Sequence, residues 1–246
     1  MLVGLSVKAS AAVVKEERNV GSFTKVSVAS GIDLYLTQGN THAVTIEAED
    51  DIISKVEAVV ENNTLTIRIK RGDNISWSGY KTLKAHVTAL VVEAIQASGG
   101  SDIYPQTAIN SKGSLAILLS GGSDLKSGHL TAKDISLKLS GGSDAKQLNI
   151  TAESFDAVLS GGSDCTGSVS ATTIGLKQSG GSDCNLSVNT TTLNVTTSGA
   201  SDALLSGKTH TIIAKVSGSS DIKAKGLSYE KSDVSKSGGS DVYLKK

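Results

Sequence analysis

The chain has 246 residues, and its 24 basic and 24 acidic side chains give a formal net charge of zero. Proteins that bind nucleic-acid phosphates carry a basic field, so this balance argues against a nucleic-acid partner. Aromatic residues make up only 3% of the chain, and no run of 18 apolar residues occurs. The low aromatic content disfavours a core packed on aromatic rings, and the lack of a long apolar run excludes a transmembrane helix. The length fits one large all-β domain or two small ones.

Residues 1–14 resemble the end of a secretory signal peptide. A short apolar run precedes Ala9-Ser10-Ala11, which matches a small-residue cleavage site. The positively charged segment that opens most signal peptides is missing, so an ordinary disordered terminus is the alternative. The pattern predicts an exported protein, located in the periplasm, on the outer membrane surface or outside the cell.

Residues 15–95 predict an irregular β region that caps one end of a longer repeat structure. Apolar residues alternate through Val26–Leu36, a pattern typical of a strand. Within it, Ser30-Gly31-Ile32-Asp33 is a degenerate copy of a motif that recurs later, and the Tyr35 segment echoes the one around Tyr243. Asn62-Asn63-Thr64 lies between two alternating stretches and predicts a hairpin turn.

Residues 96–246 contain the sequence Ser-Gly-Gly-Ser-Asp or a close variant eight times, at intervals of 19 to 22 residues. A short and nearly fixed period indicates one supersecondary unit stacked many times. The first glycine never varies, which predicts a positive φ or a crowded backbone position. The second glycine becomes Ala200 and Ser219, so its position is expected to need only a small residue. Serine and aspartate are expected to bond backbone amides at a corner.

Apolar residues between the motifs follow the period-two pattern of strands. The residue after each aspartate is apolar, and Ile135, Leu137 and Leu139 alternate with polar neighbours before the next motif. About three short strands per period, with no helical stretch, predict an all-β right-handed parallel β-helix (β-solenoid) of 19- to 20-residue coils. Eight coils at about 4.8 Å each would form a rod roughly 40 Å long.

The opening segment and the repeats together resemble a known bacterial family. Arg18-Asn19-Val20, Phe23, the Val26–Leu36 stretch and Gln38-Gly39, followed by the Ser-Gly-Gly-Ser-Asp copies, are similar to the auto-transporter adhesin head domain called the GIN domain. The similarity extends over nearly the whole chain, from about residue 18 to residue 246. It implies a β-helical fold, an exported bacterial protein and an adhesive role, and it transfers no catalytic residue.

The column of motif aspartates is the first candidate site. Stacked carboxylates about 4.8 Å apart would repel by about 1 kcal/mol in water, and Lys126, Lys146 and Lys223 are placed to offset that repulsion. We expect the aspartates to cap turn amides, with a calcium ladder as the alternative and no other cofactor. The similar calcium-binding repeat has a period of nine residues, which disfavours calcium here. The motif residues concerned are Gly121, Asp124, Gly141, Asp144, Gly161, Asp164, Gly180 and Asp183.

Two further pairs of residues are candidates for a bond or a contact. Cys165 and Cys184 hold the same position in adjacent coils, within nominal reach of a disulfide. The favoured interpretation is two small buried apolar residues, because parallel side-chain vectors suit bridging poorly. Trp77 and Tyr80 lie near glycines, where they predict either a contact loop for a sugar or protein or a plug over the core.

These observations predict a non-enzymatic, exported β-helical module that contacts a glycan or a protein at the cell envelope. One alternative is a periplasmic structural protein that forms homo-oligomers, and another is a β-helix enzyme that acts on acidic polysaccharides. The four histidines are scattered, and no nucleophile elbow, phosphate loop or zinc signature occurs. No catalytic residue is therefore predicted.

Overall fold

The computed structural model describes residues 11–73 and 82–245, which form 20 strands and one short 3-10 turn at Ile53–Lys55. These residues contain no helix long and apolar enough to cross a membrane. The strands are β1 Val13–Glu17, β2 Lys25–Val28, β3 Asp33–Gln38, β4 Ala43–Glu49, β5 Val56–Glu61, β6 Thr64–Ile69, β7 Leu83–Ala89, β8 Ala94–Ala97, β9 Ile103–Pro105, β10 Ile109–Asn110, β11 Ser114–Ser120, β12 Leu125–Thr131, β13 Asp134–Ser140, β14 Ala145–Leu159, β15 Cys165–Gln178, β16 Cys184–Thr197, β17 Asp202–Val216, β18 Asp221–Ser228, β19 Lys231–Lys236 and β20 Asp241–Leu244.

Two columns of parallel strands build the repeat region and confirm the predicted β-solenoid. One column runs from β8 through β11 and β13 and the C-terminal halves of β14 to β17, and it ends at β19. The other runs from β9 through β12 and the N-terminal halves of β14 to β17, and it ends at β18 and β20. Each coil thus adds one rung to both columns. The Ser-Gly-Gly-Ser-Asp motif is the corner that joins the columns.

The 19- and 20-residue coils differ by one extra residue shortly after the aspartate. Between β14 and β15 the register shifts between Ala145 and Leu148, and Gln147 has a φ of 55° at this bulge. The coil that follows Asp164 has no such residue and pairs without a shift. From β14 to β17 each coil is one continuous strand of 14 or 15 residues, where the sequence indicated several short ones.

The core is a stack of apolar columns that follow the coil register. The residue after each aspartate is buried from Ile103 to Ile222, and the alternating residues before each motif are buried as well. Phe155 is the largest core side chain in the repeat region, where leucine, isoleucine, valine and alanine fill most of the interior. Small and branched side chains suit this narrow interior because every rung must fit between two others at strand spacing.

The N-terminal region interleaves with the solenoid instead of preceding it. Strand β2 pairs with both β6 and β8, and β3 pairs with both β7 and β9, in each case in parallel. The first coil of the chain, β2 and β3, therefore lies in space between two coils that come later in the sequence. Strands β1, β4 and β5 pair antiparallel, with β4 between β1 and β7 and with β5 against β6. Asn62 and Asn63, both with positive φ, form the predicted hairpin turn between β5 and β6.

The last coil closes the other end with polar side chains. Strand β19 is exposed along its whole length, although it pairs in register with β17. Ser232 and Lys236 occupy the positions that Ile212 and Val216 hold one coil earlier, and Lys236 Nζ lies 3.2 Å from Asp241 Oδ1. A charged residue at an inward position opposes pairing with a further strand.

Candidate functional site

The first glycine of each Ser-Gly-Gly-Ser-Asp corner has a backbone conformation that is costly for a residue with a Cβ. Gly161 has a φ of 77°, in the left-handed region that L-residues with a Cβ avoid. A Cβ built on Gly161 would lie 3.1 Å from the backbone nitrogen of Gly141, the equivalent residue in the preceding coil. Backbone conformation and close stacking together explain why this position does not vary.

The second glycine has two different conformations along the solenoid. In the first three copies it also has a positive φ, between 76° and 82°, at Gly100, Gly122 and Gly142. Later copies lack this conformation, and there Ala200 and Ser219 are accommodated. The expectation that this position needs only a small residue is therefore wrong for the first three copies.

Hydrogen bonds show that the peptide between the two glycines reverses direction. The Gly100 amide donates forward to the Gly121 carbonyl of the next coil, at 3.1 Å. The Gly181 amide instead donates backward to the Gly161 carbonyl of the preceding coil, at 2.8 Å. Ala200 donates backward in the same way. The φ values place the change between the third copy, where Gly142 has positive φ, and the fourth, where Gly162 does not.

The second serine of each motif forms a buried ladder inside the corner. The Ser123 amide donates to Ser143 Oγ at 3.2 Å, and the Ser101 amide donates to Ser123 Oγ at 3.1 Å. In the fourth copy the serine hydroxyl donates to the carbonyl of the first serine, from Ser163 Oγ to Ser160 at 2.9 Å. The bonds expected within one turn are thus supplemented by bonds between coils, which hold neighbouring corners together.

The aspartates form a second ladder that runs in the opposite direction. From Asp102 to Asp221, each Oδ1 accepts a hydrogen bond from the amide of the aspartate in the next coil, at 3.0 to 3.3 Å. These bonds span 19 to 22 residues of sequence. One oxygen of each carboxylate in the ladder is therefore committed to the backbone of a neighbouring coil.

Lysines neutralise the ladder at its two ends but not in its middle. Lys146 Nζ lies 2.7 Å from Asp144 Oδ2, and Lys223 Nζ lies 2.6 Å from Asp202 Oδ2. Lys126 pairs with Asp124, and the hydrogen bond between them raises the pKa of the lysine.

Within the described part of the chain, Asp164 and Asp183 have no lysine partner. Thr166 and Asn185 stand where other coils have lysine. The pKa of Asp164 is raised by its burial first, and then by the charges of Asp144 and Asp183.

The geometry gives the aspartates little freedom to bind a metal ion. Their Oδ1 atoms accept backbone amides, and several Oδ2 atoms face ammonium groups. Among the residues that the structure describes, no group of three or more histidine, cysteine, aspartate or glutamate side chains is arranged to hold a metal. The calcium ladder remains a prediction that needs a binding measurement.

An aromatic stack lies on the same face, near the N-terminal end. The Tyr35 ring stacks on Tyr104 at 5.0 Å and on His86 at 5.1 Å, measured between ring centroids. His86 Nε2 lies 2.8 Å from Glu47 Oε2, and this bond lowers the pKa of the carboxyl group. Because the rings cover one another's faces, the stack presents ring edges outward. Sequence reasoning missed it, since the stack exists only where β3 lies between β7 and β9.

The two cysteines lie in register on neighbouring rungs, and both are buried as free thiols. The pKa of Cys184 is raised well above its usual range by its hydrogen bond with Cys165 and by burial. Their positions are filled by Ala145 and Ala203 in adjacent coils, so they pack as small apolar residues. Trp77 and Tyr80, the predicted contact loop, lie outside the described residues.

Sequence comparison gives the family. A model described as putative auto-transporter adhesin, head GIN domain, matches residues 22–168 and 164–246. The chain belongs to this family. No curated protein sequence matches the chain.

Solved structures share the fold of this GIN-domain protein. A putative adhesin from Bacteroides fragilis is 20% identical, with a TM-score of 0.65 over 95% of this chain and 97% of that one. A putative lipid binding protein from Parabacteroides distasonis is 14% identical, with a TM-score of 0.73 over 94% and 96%. A putative adhesin from Parabacteroides merdae is 12% identical, with a TM-score of 0.63 over 95% and 96%. At these identities the likeness is one of fold alone.

Proposed function

We propose that this protein is an exported, non-enzymatic module that binds a glycan or a protein at the cell envelope. The observation that carries the proposal is that the serine and aspartate side chains of the motif are engaged in hydrogen bonds within the protein. The serines and aspartates bond the backbone of neighbouring coils, so the repeat builds a rigid scaffold. The outward side chains of its faces are then left to contact a partner. Membership of an adhesin family supports this role.

The same hydrogen bonds support a role without catalysis. A general acid or base needs a carboxyl group that is free to exchange a proton with a substrate. Each aspartate of the ladder instead holds an amide of the next coil, and the arrangement repeats without a unique member. Turnover of an acidic polysaccharide by the purified protein would favour the enzyme alternative over this proposal.

Export is tested on intact cells with a protease added outside. We expect the protein to be cleaved, which would place it on the surface and justify a screen against glycans and host proteins, with and without calcium. Cleavage only after the outer membrane has been opened would contradict an adhesive role. That result would leave a structural role in the periplasm.

A second candidate function is self-association, which the unequal charge of the two ends favours. Residues 11–73 contain seven basic and ten acidic side chains, whereas residues 203–245 contain seven lysines and four acidic side chains. Opposite charges attract over roughly 10 Å at moderate salt, so the ends of two copies could meet. Light scattering at low and high salt tests this, and a strict monomer in both would rule it out.

A further inference from the structure

The C-terminal end of the aspartate face carries a tyrosine unlike the stacked one at the other end. Tyr243 lies in register after Lys223 on the last rung, and no described strand pairs beyond β20. The residue is 39% exposed, and the ammonium of Lys225 lies 5.7 Å from the ring centroid. Tyr35 is covered on both faces by other rings. Tyr243 is therefore placed to offer a ring face to a ligand.

A shallow groove lies beside this ring. Its volume is about 380 Å³, and it is lined by Leu204, Lys223, Lys225, Gly226 and Tyr243. Leu204 is 49% exposed, at a column position where the neighbouring rungs have Asn185 and Lys223. An exposed leucine beside an exposed tyrosine forms an apolar floor, which is typical of a contact surface when polar groups border it.

Two lysines border the apolar floor and differ in how their charge is used. Lys223 bonds Asp202 and also lies 3.9 Å from Asp221 Oδ2, so its charge is offset within the protein. Lys225 has no carboxylate partner among the residues that the structure describes, and its contact is with the Tyr243 ring. The Tyr243 hydroxyl donates to Asp241 Oδ2 at 3.4 Å, and this carboxylate pairs with Lys236. Within the described residues, Lys225 is thus the groove lysine whose charge is left to pair with an anionic ligand.

We propose that this groove binds a carboxylate-bearing sugar unit of an acidic glycan. The apolar face of a pyranose ring fits the exposed tyrosine and leucine, and its carboxylate would pair with Lys225. The proposal rests on the proposed binding function and names its ligand class. A lipid acyl chain fits less well, because a small-molecule site usually encloses most of an apolar ligand, whereas this groove is open.

The direct test is titration of the purified protein with trigalacturonate and, in parallel, with its fully methyl-esterified form. We expect the acid to bind and the ester, which keeps the rings but lacks the charges, to bind about tenfold more weakly. Raising the salt concentration should weaken binding of the acid but not of the ester. Phosphatidylglycerol vesicles serve as the lipid probe, and we expect no binding to them.

Two variants and two matched controls locate the site. Tyr243→Ala should weaken binding of the acid about tenfold, and Lys225→Gln about threefold. Tyr104→Ala removes a ring of the covered stack, and Lys146→Gln removes a lysine from the same face outside the groove. Both controls should keep the affinity of the unmodified protein. Thermal melting of each variant confirms that it is folded.

Three results would overturn this inference: equal affinity for acid and ester, binding that survives Tyr243→Ala, or no detectable binding at about 10 mM ligand. Vesicle binding that Tyr243→Ala abolishes, without binding of trigalacturonate, would reassign the groove to lipid. The proposed function would survive each of these results if the cell-surface protein still bound a neutral glycan or a protein. Protection of the protein from protease on intact cells would contradict both the proposed surface-binding function and the glycan site in the groove.

Discussion

The corners of the first three repeats and those of the later repeats have the same sequence motif but different backbones. In the third corner, Gly141 and Gly142 both have positive φ. In the fourth corner, Gly161 has positive φ but Gly162 does not. An amide that donates forward needs a carbonyl that faces backward in the next coil, so neighbouring corners share a peptide direction except at the one junction, between the third and fourth copies, where the direction changes. One repeat motif can therefore require a glycine for its φ in one region of the solenoid and tolerate its loss in another.

The largest effect is expected at the glycine that all corners share. Gly161→Val forces a β-branched side chain into positive φ and against the Gly141 backbone, so we expect a loss of about 3 kcal/mol or more. Gly162→Ala is the matched control, because a Cβ there meets no atom within 4 Å. Thermal melting checks the pair, and equal melting temperatures would refute this account of the corner.

Removal of a hydroxyl from the buried serine ladder is expected to have the next largest effect. Ser143→Ala leaves the Ser123 amide without its acceptor in a buried corner, which we expect to cost about 2 kcal/mol. Ser160→Ala removes a half-buried hydroxyl with a long 3.4 Å bond and should cost less than about 1 kcal/mol. Urea denaturation of both variants measures the difference, and the reverse order would contradict the ladder's role.

Alanine at the second glycine distinguishes the two kinds of corner directly. Gly142→Ala introduces a Cβ at a φ of 82° and should cost about 1 to 2 kcal/mol, although the added carbon meets no atom. Gly162→Ala should be neutral or slightly stabilising, because it restricts the unfolded chain without straining the folded one. Similar melting temperatures for these two variants would mean that the corners share one conformation.

A smaller, pH-dependent effect is expected in the middle of the aspartate ladder. Because the folded protein raises the pKa of Asp164, its neutral form is favoured by folding. The resulting stability is present below the unfolded pKa of about 4 and is lost as the pH rises through the folded value. Asp164→Asn keeps an oxygen acceptor and removes the charge, so it should raise stability at pH 7 by less than about 1 kcal/mol.

The control for this substitution is Asp144→Asn, which removes the partner of Lys146. It should be neutral or slightly destabilising at pH 7, because the ion pair is lost together with the repulsion. Melting curves at pH 3, 5 and 7 compare the two variants. A loss of stability at neutral pH in Asp164→Asn would show that the charge itself holds the ladder.

The smallest effect is expected from calcium. Because the Oδ1 atoms already accept backbone amides, adding calcium or a chelator should leave the melting temperature unchanged. Magnesium at the same concentration controls for ionic strength. A rise in melting temperature with calcium alone, lost in Asp164→Asn, would establish the calcium ladder.

The repeat period alone determined much of this architecture. Periodic corners and period-two apolar residues specify stacked coils because each rung buries the same positions as the one before. The Asn62-Asn63 hairpin was equally predictable, since its turn chemistry is local. The pairs Lys126–Asp124 and Lys146–Asp144 also follow from the sequence, because residues two apart in a strand share one face. Lys223 has the same offset from Asp221 and reaches Asp202 in the preceding coil.

Only the tertiary structure decided the features that depend on which coil lies beside which. Strand β3 lies between two later coils, and this order alone brings Tyr35 against His86 and Tyr104. The reversal of the corner peptide is equally hidden, because identical Ser-Gly-Gly-Ser-Asp segments adopt both directions. A period specifies the distance along the chain between equivalent residues, whereas contacts and peptide directions depend on the neighbouring coil, which the chain can place out of order.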